Sequence, residues 1–308
     1  MGYFHGAGPL ARYLYAKGTG VIMMKFWMAG ALASAMIAAP AMAQDGTYTG
    51  ADDAPFSGVY VGGSVGYDVQ PNDVGSRFLF DRNLDGRFGD VVTTSTGANA
   101  FSPGFCNGRA RSVLSPQNAA TGCDNDKDGI AYYGRVGVDH QVGNIVYGAV
   151  GEFGKSEITD SVSAFSTTPA WYTMTRSIDW EASVRGRAGY AANNTLFYGT
   201  FGGGYARINR EFATSNGSNA FAIGGKRNQF GFLGGGGIEQ KIGRNFSIGM
   251  EYMYHQYRDD DTRVRVTQGS APANNPFVLA PNTAGTDIRR SDDKFRWHSL
   301  RATAAFRF

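Results

Sequence analysis

The chain has 308 residues, of which 44 are glycine, 13% are aromatic and only 18% are charged. Abundant glycine and aromatics, with no long stretch of helical periodicity, argue against a helical protein. A formal net charge of +3 over this length, with no basic run interleaved with aromatics, excludes nucleic acid as an expected partner.

From Met23 the sequence reads MMKFWMAGALASAMIAAPAMAQDG. Lys25 supplies a positive start, Phe26 to Ala39 an apolar stretch, and Ala41-Met42-Ala43 a small-residue cleavage site. This predicts a secretory signal peptide over residues 1–43. Residues 1–22 precede a plausible start and read as a mis-called start or a long n-region. The apolar run is shorter than the roughly 20 residues a spanning helix needs. Residues 44–56 then read as an N-terminal periplasmic linker, and residues 57–308 carry the remaining pattern.

The first alternating segment, SGVYVGGSVGYDV, begins at Ser57. A long polar loop follows, from about residue 68 to 129. Within it, Asp81, Asn83 and Asp85 stand at alternate positions before Gly86, with Asp90 beyond. Asp124, Asp126 and Asp128 repeat the pattern before Gly129. Alternating oxygen ligands followed by glycine are how short calcium loops wrap a hard cation. Val92 and Arg135 occupy the positions where an EF-hand has its bidentate Glu, so only a weak structural calcium site is open, beside a polar loop rich in Asx turns. Cys106 and Cys123 lie in the same Gly/Asn/Ser-rich stretch. In an exported chain they are expected to form a local disulfide, since metal or catalytic roles would want more partners than four histidines provide.

Seven further alternating segments follow, beginning at Ile130, Ile145, Ser177, Thr195, Arg227, Phe246 and Arg296. Gly143-Asn144, Asn193-Asn194 and Gly243-Arg244-Asn245 are tight turns, whereas the other four connections are long and polar. Alternating long and short connections predict an all-β protein, an eight-stranded antiparallel up-and-down transmembrane β-barrel with short periplasmic turns and long extracellular loops. Each segment splits by parity. In the segment at Ser177, for example, Ile178, Trp180, Ala182 and Val184 oppose Asp179, Glu181, Ser183 and Arg185. A soluble lipocalin-like barrel would show the same alternation. Glycine- and alanine-heavy apolar faces, Tyr and Trp near strand ends, and a chain finishing on an aromatic favour the membrane barrel.

The segments SGVYVGGSVGYD, VYGAVGEFGKSEI, VRGRAGYAANNTLFYGTFGGGYARI, GGGGIEQKIGRNFSIGMEYMYHQY and WHSLRATAAFRF together resemble the OmpA/OmpX-like eight-stranded outer-membrane β-barrel family, in particular its porin-like alphaproteobacterial branch. The resemblance covers most of residues 57–308 and rests on pattern more than on a catalytic motif. It implies residence in the cell outer membrane, contact with outer-membrane lipid and lipopolysaccharide, and an assembly signal at Phe306 and Phe308 read by the barrel-assembly machinery.

On this reading the inward set is Arg135, Glu152, Asp179, Glu181, Arg185, Arg187, Glu239, Lys241, Glu251, Arg301 and Arg307. Eight strands leave an interior about wide enough for side chains to fill, and buried charges of both signs need partners. A largely plugged polar lumen, in a structural or surface protein serving outer-membrane integrity or surface interaction, is therefore expected; a small porin passing ions or small polar solutes is the alternative. An outer-membrane enzyme would need a nucleophile, base and orienter together. His140, His255 and His298 stand in no such motif, so no catalytic residue and no cofactor beyond the possible calcium is expected.

Overall fold

The computed structural model describes residues 54–70, 76–111 and 122–308, so the expected signal peptide and most of the linker lie outside the described residues. β1 (Gly58–Val69) is followed by four short strands of the first long loop, β2 (Phe78–Asp81), β3 (Gly104–Asn107), β4 (Arg109–Ala110) and β5 (Cys123–Asp124). β6 (Gly129–Val142) and β7 (Ile145–Ser156) form a hairpin, and β8 (Thr159–Ser166) leads into the longest strands, β9 (Ala170–Ala192) and β10 (Thr195–Thr214). Then come β11 (Ala220–Gly224), β12 (Asn228–Ile242), β13 (Phe246–Arg258), β14 (Arg263–Thr267), β15 (Thr286–Arg290) and β16 (Lys294–Arg307).

Eight of these strands close an antiparallel barrel in the order β1, β6, β7, β9, β10, β12, β13, β16. Closure runs from Tyr60 opposite Arg307 to Val69 opposite His298. The three tight turns use left-handed backbone at Gly143, Asn193 and Gly243, the conformation that hairpin turns require. The period-two pattern sets the faces. Val184 is 69% exposed and Phe230 74%, whereas Arg185 and Glu251 are fully buried. An apolar exterior around a charged interior is the arrangement of a barrel in lipid, not of a soluble one.

One parity breaks. Opposite Trp180 stands Arg207, and the next residue of β10, Ile208, faces Ile178, so Asp179 is an extra residue in β9. This bulge turns the strand over. Below it the odd-numbered Glu181, Arg185 and Arg187 point inward; above it the even-numbered Ile178, Arg176, Met174 and Tyr172 are buried. Ile178 is consequently a core residue and not, as expected, part of the outward apolar face.

The long loops are also more than polar coils. The outer ends of β9 and β10 continue past the barrel, β8 and β3 extend that sheet, and β11, β14, β15 and β2 form a second sheet. Phe78, Phe80, Val162, Tyr172, Val264 and Ile288 from these strands, with Phe101 and Phe277 from the loops between them, pack into one hydrophobic cluster. Each short strand alone is too small to be stable, and this shared core holds them together as a cap. A Cys106–Cys123 disulfide ties β3 to β5 within it.

Candidate functional site: the barrel lumen

The inward side chains stack in layers. Nearest the short turns, Arg187 lies 2.7 Å from Glu239 and 3.1 Å from Asp139. Arg307 lies 3.0 Å from Asp139 and 3.3 Å from Glu239, so two cations and two anions form a closed square. Both guanidiniums sit over the Tyr60 ring, at 5.4 and 4.7 Å. The ring fits because Gly137 faces it; a Cβ there would fall 2.3 Å from the ring carbon Cζ.

The next layer is built on Glu152 and Glu251. Arg135 is 3.3 Å from Glu152 and 3.2 Å from Glu251, and Arg185 is 2.7 and 3.3 Å from the same pair. Arg301 reaches Glu152 at 3.3 Å, and the Tyr198 hydroxyl donates to Glu251 at 2.8 Å. Buried charges survive only with such partners, and removing one member leaves its neighbour uncompensated.

Above this, Arg301 donates to His255 Nε2 at 2.7 Å, and His255 Nδ1 faces Glu181 at 3.1 Å. His255 stacks on Trp297, centroids 4.6 Å apart, within an apolar group with Ile178, Leu233, Met253, Tyr257 and Phe295. At the outer mouth Arg176 binds Asp160 at 2.6 Å, Asp259 at 3.2 Å and Asp292 at 3.0 Å. Arg290 adds 2.5 Å to Asp160, and Arg210 adds 2.6 Å to Asp259. This cluster joins β8, β9, β10 and the final long loop over the top of the barrel.

The lumen thus brings together Arg135, Glu152, Glu181, Arg185, Arg187, Glu239, Glu251, Arg301 and Arg307 from the expected set. Two members are corrected. Asp179, displaced by the bulge, is exposed and lies 3.5 Å from Arg207 on the outer surface. Lys241 is half-buried at the short-turn rim, where its Nζ donates to the Pro55 carbonyl. The mouth cluster was not foreseen, because parity alone assigns Arg176 to lipid. An arginine on an otherwise apolar face was the available signal.

In the first loop the motif side chains meet donors of the protein itself. Asn83 accepts from the Asp85 amide and Asp85 from the Arg87 amide, two successive Asx turns, while Asp81 accepts from the Asp85 and Gly86 amides and Asp90 from the Arg82 amide. Asp124 pairs with Arg111, Asp126 accepts from the Ser161 amide and Asn107, and Asp128 accepts from the Gln70 amide. No two of these three carboxylates share a neighbour in these contacts. Among the described residues there is no group of three or more metal-ligating side chains. At the other end, Phe306 and Phe308 point outward with their rings 5.2 Å apart, Phe308 being 73% exposed.

No family model matches the chain. It is 30% identical over 122 residues to a 31 kDa outer-membrane immunogenic protein of Brucella melitensis, covering 39% of this chain and 50% of that protein. It is 31% identical over 139 residues to a 22 kDa outer membrane protein of Rhizobium leguminosarum bv. viciae, covering 44% and 58%. The chain thus spans about half the length of the curated relatives it matches. Among solved structures, Ail of Yersinia pestis aligns at 10% identity and TM-score 0.29, covering 82% of this chain and 99% of its own. The protease OmpT of Escherichia coli aligns at 11% identity and TM-score 0.35, covering 85% and 100%. With outer-membrane relatives and a closed eight-stranded barrel of apolar exterior, this chain is an outer-membrane β-barrel protein.

Proposed function

We propose that this protein is a structural surface barrel of the outer membrane, of the OmpA/OmpX-like type, whose lumen is closed by its own side chains. The observation that carries the reading is the pair of ion-pair layers on Glu239/Asp139 and Glu152/Glu251, whose charged members are all at most 6% exposed. Stacked beneath an aromatic layer and an arginine–carboxylate mouth, they leave no charged side chain of these layers free to line a water path. The cap, with its own hydrophobic cluster, is the part offered to the exterior, and the immunogenic Brucella relative supports surface exposure of these loops.

On this reading the chain is not an enzyme. His255 is enclosed by Glu181, Arg301 and Trp297, and His140 and His298 face outward. The Asx turns support a first loop that holds itself without a cation. Exposed Phe306 and Phe308 on the closing strand support recognition by the assembly machinery, and assembly of the protein at wild-type levels without Phe308 would refute that role. The test of closure is solute efflux from liposomes carrying the folded barrel. Retention of small sugars and ions is expected, and rapid efflux would establish the small-porin alternative instead.

A further inference from the structure

The lipid-facing surface of the barrel differs between its two ends. Among the outward positions of the described barrel strands, Lys155, Arg207, Arg258, Lys294 and Arg296 are the cations, and all five lie at the long-loop end. The short-turn end presents residues such as Val142, Ile145, Phe197, Ile242 and Phe306.

The cations are not equally provided for. Arg207 and Arg296 each have a carboxylate at 3.5 Å, Asp179 and Asp292. Arg258 and Lys294 stand directly opposite one another on β13 and β16, both exposed. Neither has a carboxylate within ion-pair distance among the described residues. Like charges directly opposed weaken a strand pair, so the fold itself gains nothing from this arrangement. Arg296 follows on the same face. Immediately below, Tyr252 and His298 are hydrogen-bonded at 2.6 Å, and Tyr254 packs on His298 with centroids 5.3 Å apart. Below these come Met250, Leu300 and Ile248, all exposed. From rim to mid-membrane the strip reads cationic, then aromatic, then aliphatic. That is the complement of an amphiphile with an anionic head above acyl chains.

We infer, resting on the outer-membrane reading of the barrel, that Arg258, Lys294 and Arg296 form a binding site for the phosphate groups of an outer-leaflet glycolipid of the lipid A class. Tyr252, Tyr254 and His298 lie against its sugar and first acyl carbons. The one-sidedness selects the source. A phospholipid site would serve the periplasmic leaflet, whose end of the barrel carries no outward cation among the described strand residues.

The experiment uses the full chain folded in detergent, with folding verified by heat-modifiable gel mobility, and native mass spectrometry to count bound lipid. The probes are bisphosphorylated lipid A, the same lipid dephosphorylated, and phosphatidylglycerol. Wild type should bind the bisphosphorylated lipid in preference to both others. Arg258→Gln/Lys294→Gln should weaken it about thirtyfold, while Arg244→Gln at a short turn should not. The inference is overturned if wild type binds dephosphorylated lipid A or phosphatidylglycerol as tightly, whatever the variants do. It is equally overturned if the folded double variant keeps wild-type affinity. Absence of any gel-mobility shift in wild type would instead refute the barrel reading on which the site rests.

Discussion

Replacing Val184 by Arg tests which face of β9 meets lipid. Val184 lies between two outward aromatics, Trp180 and Tyr190, on the same strand. With a rise of about 3.3 Å per residue and a tilt of about 40°, it sits roughly 10 Å from the level of Trp180 and 15 Å from that of Tyr190. Together these span the roughly 25 Å apolar band of an outer-membrane barrel, so position 184 is near the midplane. Its neighbours in register are Gly151 and Gly203, which offer no side chain to a guanidinium. The expected cost is about 2–4 kcal/mol, a factor of about 30 to 900 in the folding equilibrium. Urea titration of folding into liposomes, followed by gel mobility, measures it directly. Val184→Leu should be close to neutral in the same titration. A Val184→Arg variant that folds with the wild-type midpoint would mean that this face does not meet lipid.

Glu251 is shared by Arg135, Arg185 and the Tyr198 hydroxyl, so Glu251→Gln should destabilise the barrel by about 3–5 kcal/mol; an unmoved urea midpoint would show that the layer is not a network. Burial alone would raise the Asp160 carboxyl, but Arg176 and Arg290 outweigh it and hold it at about 2, below its unfolded value of about 3.9. That contribution is present above about pH 4 and lost as pH falls toward 2, so acid should open the mouth to protease, and a mouth equally resistant throughout would refute the linkage. Asp126 runs the other way: burial, and then the Asp160 charge, raise it to about 6. Its contribution is fully present below about pH 4 and lost as pH rises through 6, so proteolysis of the first loop should quicken over that range, and Asp126→Asn should abolish the dependence.

The barrel was legible in the sequence because lipid and lumen impose period two on every strand, and three tight turns fix which connections are short. Arg185 and Glu251 declare their face by parity alone. Asp179 and Arg176 do not, because a single extra residue in β9 reverses parity, and nothing in SIDWEASV marks where the extra residue falls. Which arginine meets which carboxylate depends on register across the barrel, as with Arg307 and Asp139 from distant parts of the chain. The cap was hidden for another reason. Phe78, Phe101 and Phe277 are scattered among Gly, Asn and Pro, and their common cluster exists only once three loops meet above the mouth.

Single-channel recording in a planar bilayer tests the closed lumen most directly, with the wild-type barrel compared with one whose first loop has been shortened. Because the seal is assigned to the Arg–Glu layers inside the barrel and not to the cap, both proteins should give no steady current. A steady current through wild type would contradict closure itself. A current appearing only when the loop is shortened would show that the cap, not the ion-pair layers, is the seal.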